Sequence, residues 1–323
     1  MASETLPERL PTPPTVSVLM TTYNQQDYVG DAIAAVLAQD APPFEFIISD
    51  DCSTDSTWDR VTEALADYTG PHRIRLVRNE RNLGLNGNLN RMIATVGGDI
   101  LICAAGDDIS MPDRVSRVVA TFVEHSPLLV YSGFKPLPLP GQSYDGRFDR
   151  LTFDRTADPV AIAGSTALFV GATAAWHRDL FTLFGPLPED NVYEDLILGF
   201  RAALAGRVER IDAPLVIYRI DVGVTAKARA DLTRSDWTAR HLVDLKRHAA
   251  TFAHRRADAL RFGLAANAPV VRAVDRHILS NSIRQDYWLL PTAKLFLKHW
   301  RHPILVLRRI RSERRRIRRA LKC

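Results

Sequence analysis

Two adjacent carboxylates, Asp107 and Asp108, are the residues whose types and spacing most directly suggest chemistry in this chain. Neighbouring carboxylates held away from water repel each other and are costly to desolvate unless a cation joins them. Mg²⁺ or Mn²⁺ bound by one or two carboxylates, with phosphate oxygens completing the coordination, is a common arrangement. The pair therefore predicts a divalent-cation site. The alternative is that it caps a turn and faces water.

A second acidic pair, Asp50 and Asp51, precedes a run rich in Ser and Thr. A carboxylate directly after a strand can accept hydrogen bonds from a nucleobase or from a ribose hydroxyl. The same residue types are also favoured at helix N-caps. Both interpretations hold together if Asp51 contacts a ligand while Ser53 or Thr54 caps the next helix.

The third pair, Glu194 and Asp195, lies in the first turn of a helix predicted over residues 192–204. The helix dipole alone favours acids at this position. The functional interpretation is a general base, because a carboxylate there could take a proton from a reacting hydroxyl group.

The elements that must position these pairs are strands alternating with helices. Strands are predicted over 16–20, 44–49, 74–77 and 99–103, and helices over 27–39, 53–67, 87–96 and 112–124. This alternation indicates an α/β fold, with a mostly parallel sheet flanked by helices. Ligands bind beyond the carboxyl ends of such strands. We therefore expect Thr21, Asp50-Asp51 and Asp107-Asp108 on one edge of the sheet.

The pattern changes in the second half of the chain. An irregular excursion is predicted over 133–165, followed by short strands at 168–170, 173–176 and 215–219, and by helices from residue 226 onward. The predicted organisation is a disordered arm over 1–15, an α/β domain over 16–225 and a helical, basic region over 226–323.

Length and composition limit the classes of protein that fit. The chain has 323 residues, of which 46% are hydrophobic, enough for one large domain and an extension. Cys52, Cys103 and Cys323 fit neither a disulfide framework nor a zinc pattern, which favours reduced thiols in a cytosolic protein. No apolar run resembles a signal peptide or a spanning helix, so neither is expected.

Basic residues are concentrated at the C-terminal end, where residues 301–323 carry ten Arg and Lys residues and one acid, Glu313. Trp300, Ile304 and Leu307 recur among them at helical spacing. Such a segment is typical of a helix lying on an anionic membrane surface, which is the interpretation we favour. The alternatives are a basic helix packed on the body of the protein and a nucleic-acid-binding cluster. Nucleic acid is not expected as a partner.

Several ordered segments resemble glycosyltransferase family 2, whose fold is the GT-A nucleotide-sugar-binding fold. The segments are Val16 to Asn24, Phe46 to Thr57, Asn82 to Gly84 with Asn90, Gly98 to Ile109 with Met111 to Arg114, Tyr193-Glu194-Asp195 with Arg201, and Tyr218-Arg219. The resemblance covers residues 14–225, and its motifs follow one another at the expected spacing.

The resemblance implies a role for each matched position. On the nucleotide side, Thr21 and Tyr23 would lie against the base, Asp51 would hydrogen-bond it, Asp50 would support the turn, and Asn90 would belong to the binding motif. Around the diphosphate, Asp107 would bind the metal, Asp108 would lie near the metal or the ribose, and Arg219 would steady the diphosphate or its loop. Asp195 would be the general base, with Glu194 beside it.

Three positions depart from the family pattern. Ala105 replaces the first Asp of the Asp-x-Asp motif, which bears on ribose contacts and metal affinity. Leu89 stands where many members have Arg, and Asp221 lies near the place where members often have His.

The resemblance implies an inverting glycosyltransferase that uses a divalent cation, Mn²⁺ or Mg²⁺. The sugar would come from a UDP, dTDP or GDP donor and pass to a hydroxyl of a glycan or lipid-linked acceptor. A non-catalytic nucleotide-sugar-binding module of the same fold and an enzyme similar to sugar nucleotidyltransferases are the other functions left open. We expect the protein in the cytoplasm, peripheral on the inner face of the membrane.

Overall fold

The computed structural model describes residues 10, 13–144, 146, 158–220, 222 and 233–320. Within them the strands are β1 (Val16–Thr22), β2 (Glu45–Asp50), β3 (Arg73–Arg78), β4 (Ile100–Ala105), β5 (Ile109–Ser110), β6 (Leu129–Leu137), β7 (Ala174–His177) and β8 (Val208–Arg219). They form one sheet in the order β3-β2-β1-β4-β7-β6-β8-β5.

Helices cover this sheet and form the C-terminal region. They are α1 (Val29–Leu37), α2 (Thr57–Leu65), α3 (Gly84–Ile93), α4 (Arg114–His125), α5 (Pro159–Ala163), α6 (Asp179–Phe184), α7 (Glu194–Leu204), α8 (Arg234–Arg261), α9 (Pro269–Leu289), α10 (Thr292–Lys298) and α11 (Pro303–Ala320). A 3-10 turn spans Gly171–Thr173.

The first half of the sheet is parallel, as its apolar strands predict. β1 pairs with both β2 and β4, so that Thr22 is opposite Asp50 and Thr21 is opposite Ala105. β7 is antiparallel to β4 and β6, which makes the whole sheet mixed. The predicted α/β fold with a sheet flanked by helices is confirmed.

The prediction of an irregular excursion over 133–165 was wrong at the two ends of this segment, which the structure describes. Residues 133–137 belong to β6, and Pro159–Ala163 form α5. Gly133 and Pro136 are residue types typical of turns, which is why irregular structure was predicted there. Gly133 lies at a register shift between β6 and β8, where a Cβ atom would come within 3.0 Å of the Asp212 carbonyl oxygen.

Residues 168–170 are extended without forming a strand. The disordered arm predicted over 1–15 lies outside the described residues except for residues 10 and 13–15, and Asp221 and Cys323 also lie outside them.

The C-terminal helices share the core of the sheet. Phe252 of α8 and Val274 of α9 are buried in one hydrophobic cluster with Trp176 of β7 and Phe200 of α7. None of the helices in the described part of the chain is long and apolar enough to span a bilayer.

One face of the basic helix α11 packs on the body. Ile310 and Ile317 are buried, and Glu313 between them is fully buried. Glu313 accepts hydrogen bonds from Arg284 Nε at 2.7 Å and Trp288 Nε1 at 2.9 Å. Despite its burial, hydrogen bonds with His241, Arg284 and Trp288 hold the pKa of Glu313 down at about 2. A charged hydrogen-bond network therefore attaches α11 to α9.

We expect Glu313→Gln to lower the free energy of unfolding by about 2–4 kcal/mol, because it leaves the largely covered Arg284 guanidinium, 15% exposed, without its counter-charge. Glu63→Gln is the matched control. It removes an exposed i,i+3 pair with Arg60, and we expect a loss below about 0.5 kcal/mol. Urea denaturation at pH 7 measures both. Equal effects would mean that the Glu313 network does not hold α11.

Candidate functional site

The site lies at the sheet edge where β1, β2 and β4 end. The Asp51 amide donates to the Thr22 carbonyl at 2.9 Å, and the Gly106 amide donates to the Thr21 carbonyl at 3.0 Å. A Cβ atom on Gly106 would lie 2.5 Å from the Gln25 side-chain oxygen. The absence of a side chain at Gly106 therefore lets the loops after β1 and β4 approach each other.

Asp50 is fully buried in the turn after β2. Its carboxylate accepts hydrogen bonds from the Ser53 amide at 3.0 Å and from the Thr22 hydroxyl at 3.3 Å. Arg78 Nε lies 3.5 Å from the same carboxylate. These contacts fit the turn-supporting role that the resemblance implied for Asp50.

Asp51 follows Asp50 in the same turn, and hydrogen bonds hold its carboxylate in place. Its Oδ1 accepts hydrogen bonds from Asn79 Nδ2 and from the Leu83 amide, both at 2.8 Å. Asn79 also donates to Asn88 Oδ1 at 3.1 Å, which ties the carboxylate to α3. The sequence analysis missed Asn79, although a polar residue directly after the end of β3 was the available signal.

Asp107 and Asp108 follow β4 and are both largely buried. The Arg219 amide donates to Asp108 Oδ1 at 2.9 Å, whereas the buried Oδ2 of Asp108 has no hydrogen-bond partner among the residues that the structure describes. Burial, and then the charge of Asp107, raise the pKa of Asp108 to about 8. Burial also raises the pKa of Asp107, against the influence of Gln25 and Arg219.

Arg219, at the end of β8, is fixed from several sides. Its Nη1 donates to the Asp107 carbonyl at 2.6 Å, and its Nη2 lies 3.0 Å from Asp31 of α1. The guanidinium also lies over the Tyr28 ring, 5.0 Å from its centroid. Arg219 therefore fastens the loop that carries the acidic pair to α1.

The residues present fit a divalent cation. No cluster of three or more His, Cys, Asp and Glu side chains that could hold a metal occurs among the residues described. Asp107 and Asp108 nevertheless offer two carboxylates, and the unpartnered Oδ2 of Asp108 is a buried acceptor in need of a positive partner. A site completed by phosphate oxygens and water is what Mg²⁺ and Mn²⁺ commonly use.

Glu194 and Asp195 begin α7 and are partly buried. The Leu196 amide donates to Asp195 Oδ1 at 2.8 Å. Burial and the neighbouring Glu194 raise the pKa of Asp195 to about 7, and burial raises the pKa of Glu194 as well. A carboxyl that titrates near neutral pH is suited to proton transfer.

A short chain of contacts connects the two acidic pairs. A Cβ atom on Gly171 would lie 2.7 Å from Glu194 Oε1, so the 3-10 turn packs directly on this carboxylate. Arg114 Nη2 donates both to the Ala172 carbonyl at 2.8 Å and to the Cys103 carbonyl at 2.7 Å. The buried Arg114 therefore holds the 3-10 turn beside Glu194 against β4, the strand that leads to Asp107.

The remaining predicted residues lie in different surroundings. Thr21 and Tyr23 are partly buried at the end of β1. Asn90 exchanges two hydrogen bonds with the Leu187 backbone, each of 2.8 Å, so both polar ends of its amide face the loop before α7. These bonds give Asn90 a positioning role, and its contact with a nucleotide stays a prediction.

Comparisons with known proteins agree with this architecture. The model of the family "Glycosyl transferase family 2" matches residues 17–181, just over half of the chain. The succinoglycan biosynthesis protein ExoO of Rhizobium meliloti is 33% identical over 106 residues, which are 33% of this chain and 29% of that protein. The chain spans less than two thirds of the length of the curated relatives it matches.

Solved structures share the fold. TarS of S. aureus in complex with UDP-GlcNAc superposes with a TM-score of 0.59 at 18% identity, covering 91% of this chain and 79% of that one. The mannosyltransferase PcManGT of Pyrobaculum calidifontis, in complex with GDP-Man and Mn²⁺, superposes with a TM-score of 0.55 at 20% identity, covering 92% and 85%. The expected GT-A fold is confirmed, and the family match shows that the chain belongs to glycosyl transferase family 2.

Proposed function

We propose that this protein transfers a sugar from a nucleoside-diphosphate-sugar to a hydroxyl group of a glycan or lipid-linked acceptor, with inversion at the anomeric carbon. The observation that carries the proposal is that Arg114 and the 3-10 turn connect two acidic sites. One contains the unpartnered carboxylate oxygen of Asp108, and the other contains Asp195 with a pKa of about 7.

The nucleotide would lie across the ends of β1, β2 and β4. Asp51, with Thr21 and Tyr23, would contact the base of a UDP, dTDP or GDP donor. Asp107 and Asp108 would hold Mn²⁺ or Mg²⁺, which when bound offsets the negative charge of the departing diphosphate. Arg219 keeps this loop in place through its bonds to Asp107 and Asp31.

The chemistry proposed for the protein itself is a proton transfer. Asp195 accepts the proton of the acceptor hydroxyl as the hydroxyl oxygen forms a bond to the anomeric carbon. The bond between that carbon and the diphosphate oxygen breaks on the opposite face, so one displacement inverts the centre. The raised pKa of Asp195 makes it a stronger base than an exposed aspartate.

The observations also bear on the alternatives. A binding module that has lost turnover has no need of a second acidic pair in which burial raises the pKa of both carboxyls. Nucleotidyl transfer likewise has no use for a general base on the acceptor side. Both alternatives are therefore less well supported than sugar transfer.

We further propose that the enzyme works at an anionic membrane surface on the cytoplasmic side. Large apolar side chains of α10, of α11 and of the turn between them are exposed, namely Leu297 by 76%, Trp300 by 66% and Ile304 by 68%. Lys294 and Lys298 of α10 and the arginines of α11 flank them in the sequence. Aromatic and aliphatic groups with flanking cations match the chemistry of an interface with anionic lipid.

Replacing the proposed base tests the reaction. We expect Asp195→Asn to lower sugar transfer at least about 100-fold, because the carboxylate proposed to take the proton is lost. Wild-type activity should rise with pH through about 7 as Asp195 loses its proton. The assay measures nucleoside diphosphate released from UDP-glucose, UDP-GlcNAc, dTDP-glucose or GDP-mannose, with Mn²⁺ and an octyl glycoside acceptor.

Asp190→Asn is the matched control for this test, since Asp190 is exposed and pairs with His254. It should keep the activity and the pH profile of the wild type. Full activity in Asp195→Asn would exclude Asp195 as the base.

Asp108→Asn tests the cation site through stability. Because folding raises the pKa of Asp108 to about 8, the carboxyl favours the fold at low pH, and this contribution is lost as pH rises toward 8. At pH 8 the amide should raise the Tm of the ligand-free protein by about 2–4 °C. It should also abolish the Mn²⁺-dependent Tm increase produced by nucleoside diphosphates.

Asp113→Asn, at an exposed i,i+4 pair with Arg117, is the control and should change neither quantity. A persistent Mn²⁺-dependent shift in Asp108→Asn would place the cation elsewhere.

Trp300→Glu tests membrane binding. We expect it to weaken co-sedimentation with phosphatidylglycerol-containing vesicles at least tenfold. The change removes an apolar side chain that would be buried in the membrane, and it adds a negative charge that anionic lipid repels. Binding should also fall in 0.5 M salt. Val123→Glu, at an exposed site on α4, is the control and should bind like the wild type. Equal binding to purely neutral vesicles would contradict the electrostatic part of the proposal.

A further inference from the structure

One face of α8 lies along α7, the helix that begins with the proposed catalytic acids. The α8 residues that contact α7 or the residues just before it recur every three or four positions, which places them on one side of the helix. They are Asp244, Arg247, Thr251, Arg255 and Asp258.

Three of these residues bind the backbone around the acids. Arg247 Nη2 donates to the Val192 carbonyl at 2.9 Å, and Thr251 Oγ1 accepts from the Tyr193 amide at 3.2 Å. Arg255 donates to the Leu196 carbonyl through Nε at 3.0 Å and Nη2 at 2.8 Å. Backbone groups on both sides of Glu194-Asp195 are therefore fixed by a helix from the C-terminal region.

The Tyr193 side chain adds a second layer of contacts. Its hydroxyl donates to the Asp244 carboxylate. The Arg247 guanidinium lies over the Tyr193 ring, 3.8 Å from its centroid, where the ring face attracts a cation. Because Tyr193 immediately precedes Glu194, holding its ring also fixes the direction in which α7 begins.

Further along, the two helices are joined by a buried ion pair. Arg201 Nε of α7 lies 2.8 Å from Asp258 of α8, and both side chains are 3% exposed. The contact keeps the remaining turns of α7 parallel to the same face of α8. The whole of α7, and not only its first turn, is therefore positioned by α8.

Besides Arg255, this face carries one other cation, Arg247. In the described part of the chain it makes no salt bridge, and its buried Nε has no hydrogen-bond partner. Its positive charge is therefore not consumed by a carboxylate in direct contact, and it acts on the nearby pair Glu194 and Asp195.

The charged groups that face the acids come from three elements. Burial and Glu194 of α7 raise the pKa of Asp195, whereas Arg255 and Arg247 of α8 oppose the increase. Cys103 of β4 faces Glu194, and burial keeps that thiol protonated with a pKa of about 12. The cations acting on Asp195 are therefore both supplied by α8.

We propose that the C-terminal helical region forms part of the active site, with Arg247 as a positioning residue that fixes the backbone ahead of Glu194 and supplies positive charge beside Asp195. The inference rests on the proposed function, in which Asp195 is the base. It also assigns residues 234–261 a task in catalysis in addition to packing.

Arg247→Gln tests the inference, with Arg247→Lys as the variant that restores charge. We expect the glutamine to lower kcat about tenfold or more at pH 7, with KM for the sugar donor within twofold of the wild type. On the acidic side of the pH profile, the pH of half-maximal activity should rise by about one unit, because a cation beside the base is lost. Arg247→Lys should return this pH to its wild-type value.

Arg256→Gln is the matched control. Arg256 lies on the same helix but pairs with Asp275 at a half-exposed position, 2.8 Å away, so its loss should leave kcat and the pH profile unchanged. If Arg247→Gln and Arg247→Lys lost kcat equally and the pH profile did not shift, Arg247 would be only a packing residue. Wild-type rates in both variants would overturn the inference altogether.

A second readout does not require turnover. At pH 8, Arg247→Gln should lower the Tm of the ligand-free protein more in the wild-type background than in the Asp195→Asn background, because the charge it stabilises is absent from the latter. Equal Tm losses in the two backgrounds would overturn the inference. If the wild type released no nucleoside diphosphate from any donor, the proposed function would fail, and this coupling would still decide whether Arg247 acts on Asp195.

Discussion

Pairs of carboxylates held away from water impose the constraint on which this structure depends. Asp107 with Asp108, and Glu194 with Asp195, are each close enough for one charge to oppose the other, and burial raises the pKa of all four. Such groups are stable only where cations or hydrogen-bond donors face them. The protein supplies arginines at both places, and the described part of the chain provides no hydrogen-bond partner for one carboxylate oxygen of Asp108.

Those arginines come from parts of the chain far from the acids they serve. Arg219 reaches the first pair from the end of β8, and Arg114 reaches the 3-10 turn from α4. Arg247 and Arg255 reach the second pair from α8. The fold therefore brings the C-terminal region against Glu194 and Asp195. At its far end α11 keeps one face buried around Glu313, and Trp300 just before α11 is exposed.

Much of this could be read from the chain itself. Apolar runs over residues 16–20 and 99–103 predicted buried parallel strands, and the polar residues that follow them predicted a shared edge. The register confirms that Thr22 lies opposite Asp50. The motif around Asp50-Asp51 and the one around Asp107-Asp108 also indicated the family, because order and spacing along the chain are properties of the sequence.

Other features depended on packing between distant residues. Gly133 and its neighbouring proline are typical of a turn, yet pairing with β8 makes them part of a strand. Asn90 belonged to a recognised motif, but its amide is bonded to the backbone of Leu187, 97 positions away. The sequence determined the strands, the acids and the family, because these follow from local periodicity and spacing. Only the tertiary structure decided which cation faces which acid, because Arg247 meets Val192 across 55 positions and no local pattern encodes that contact.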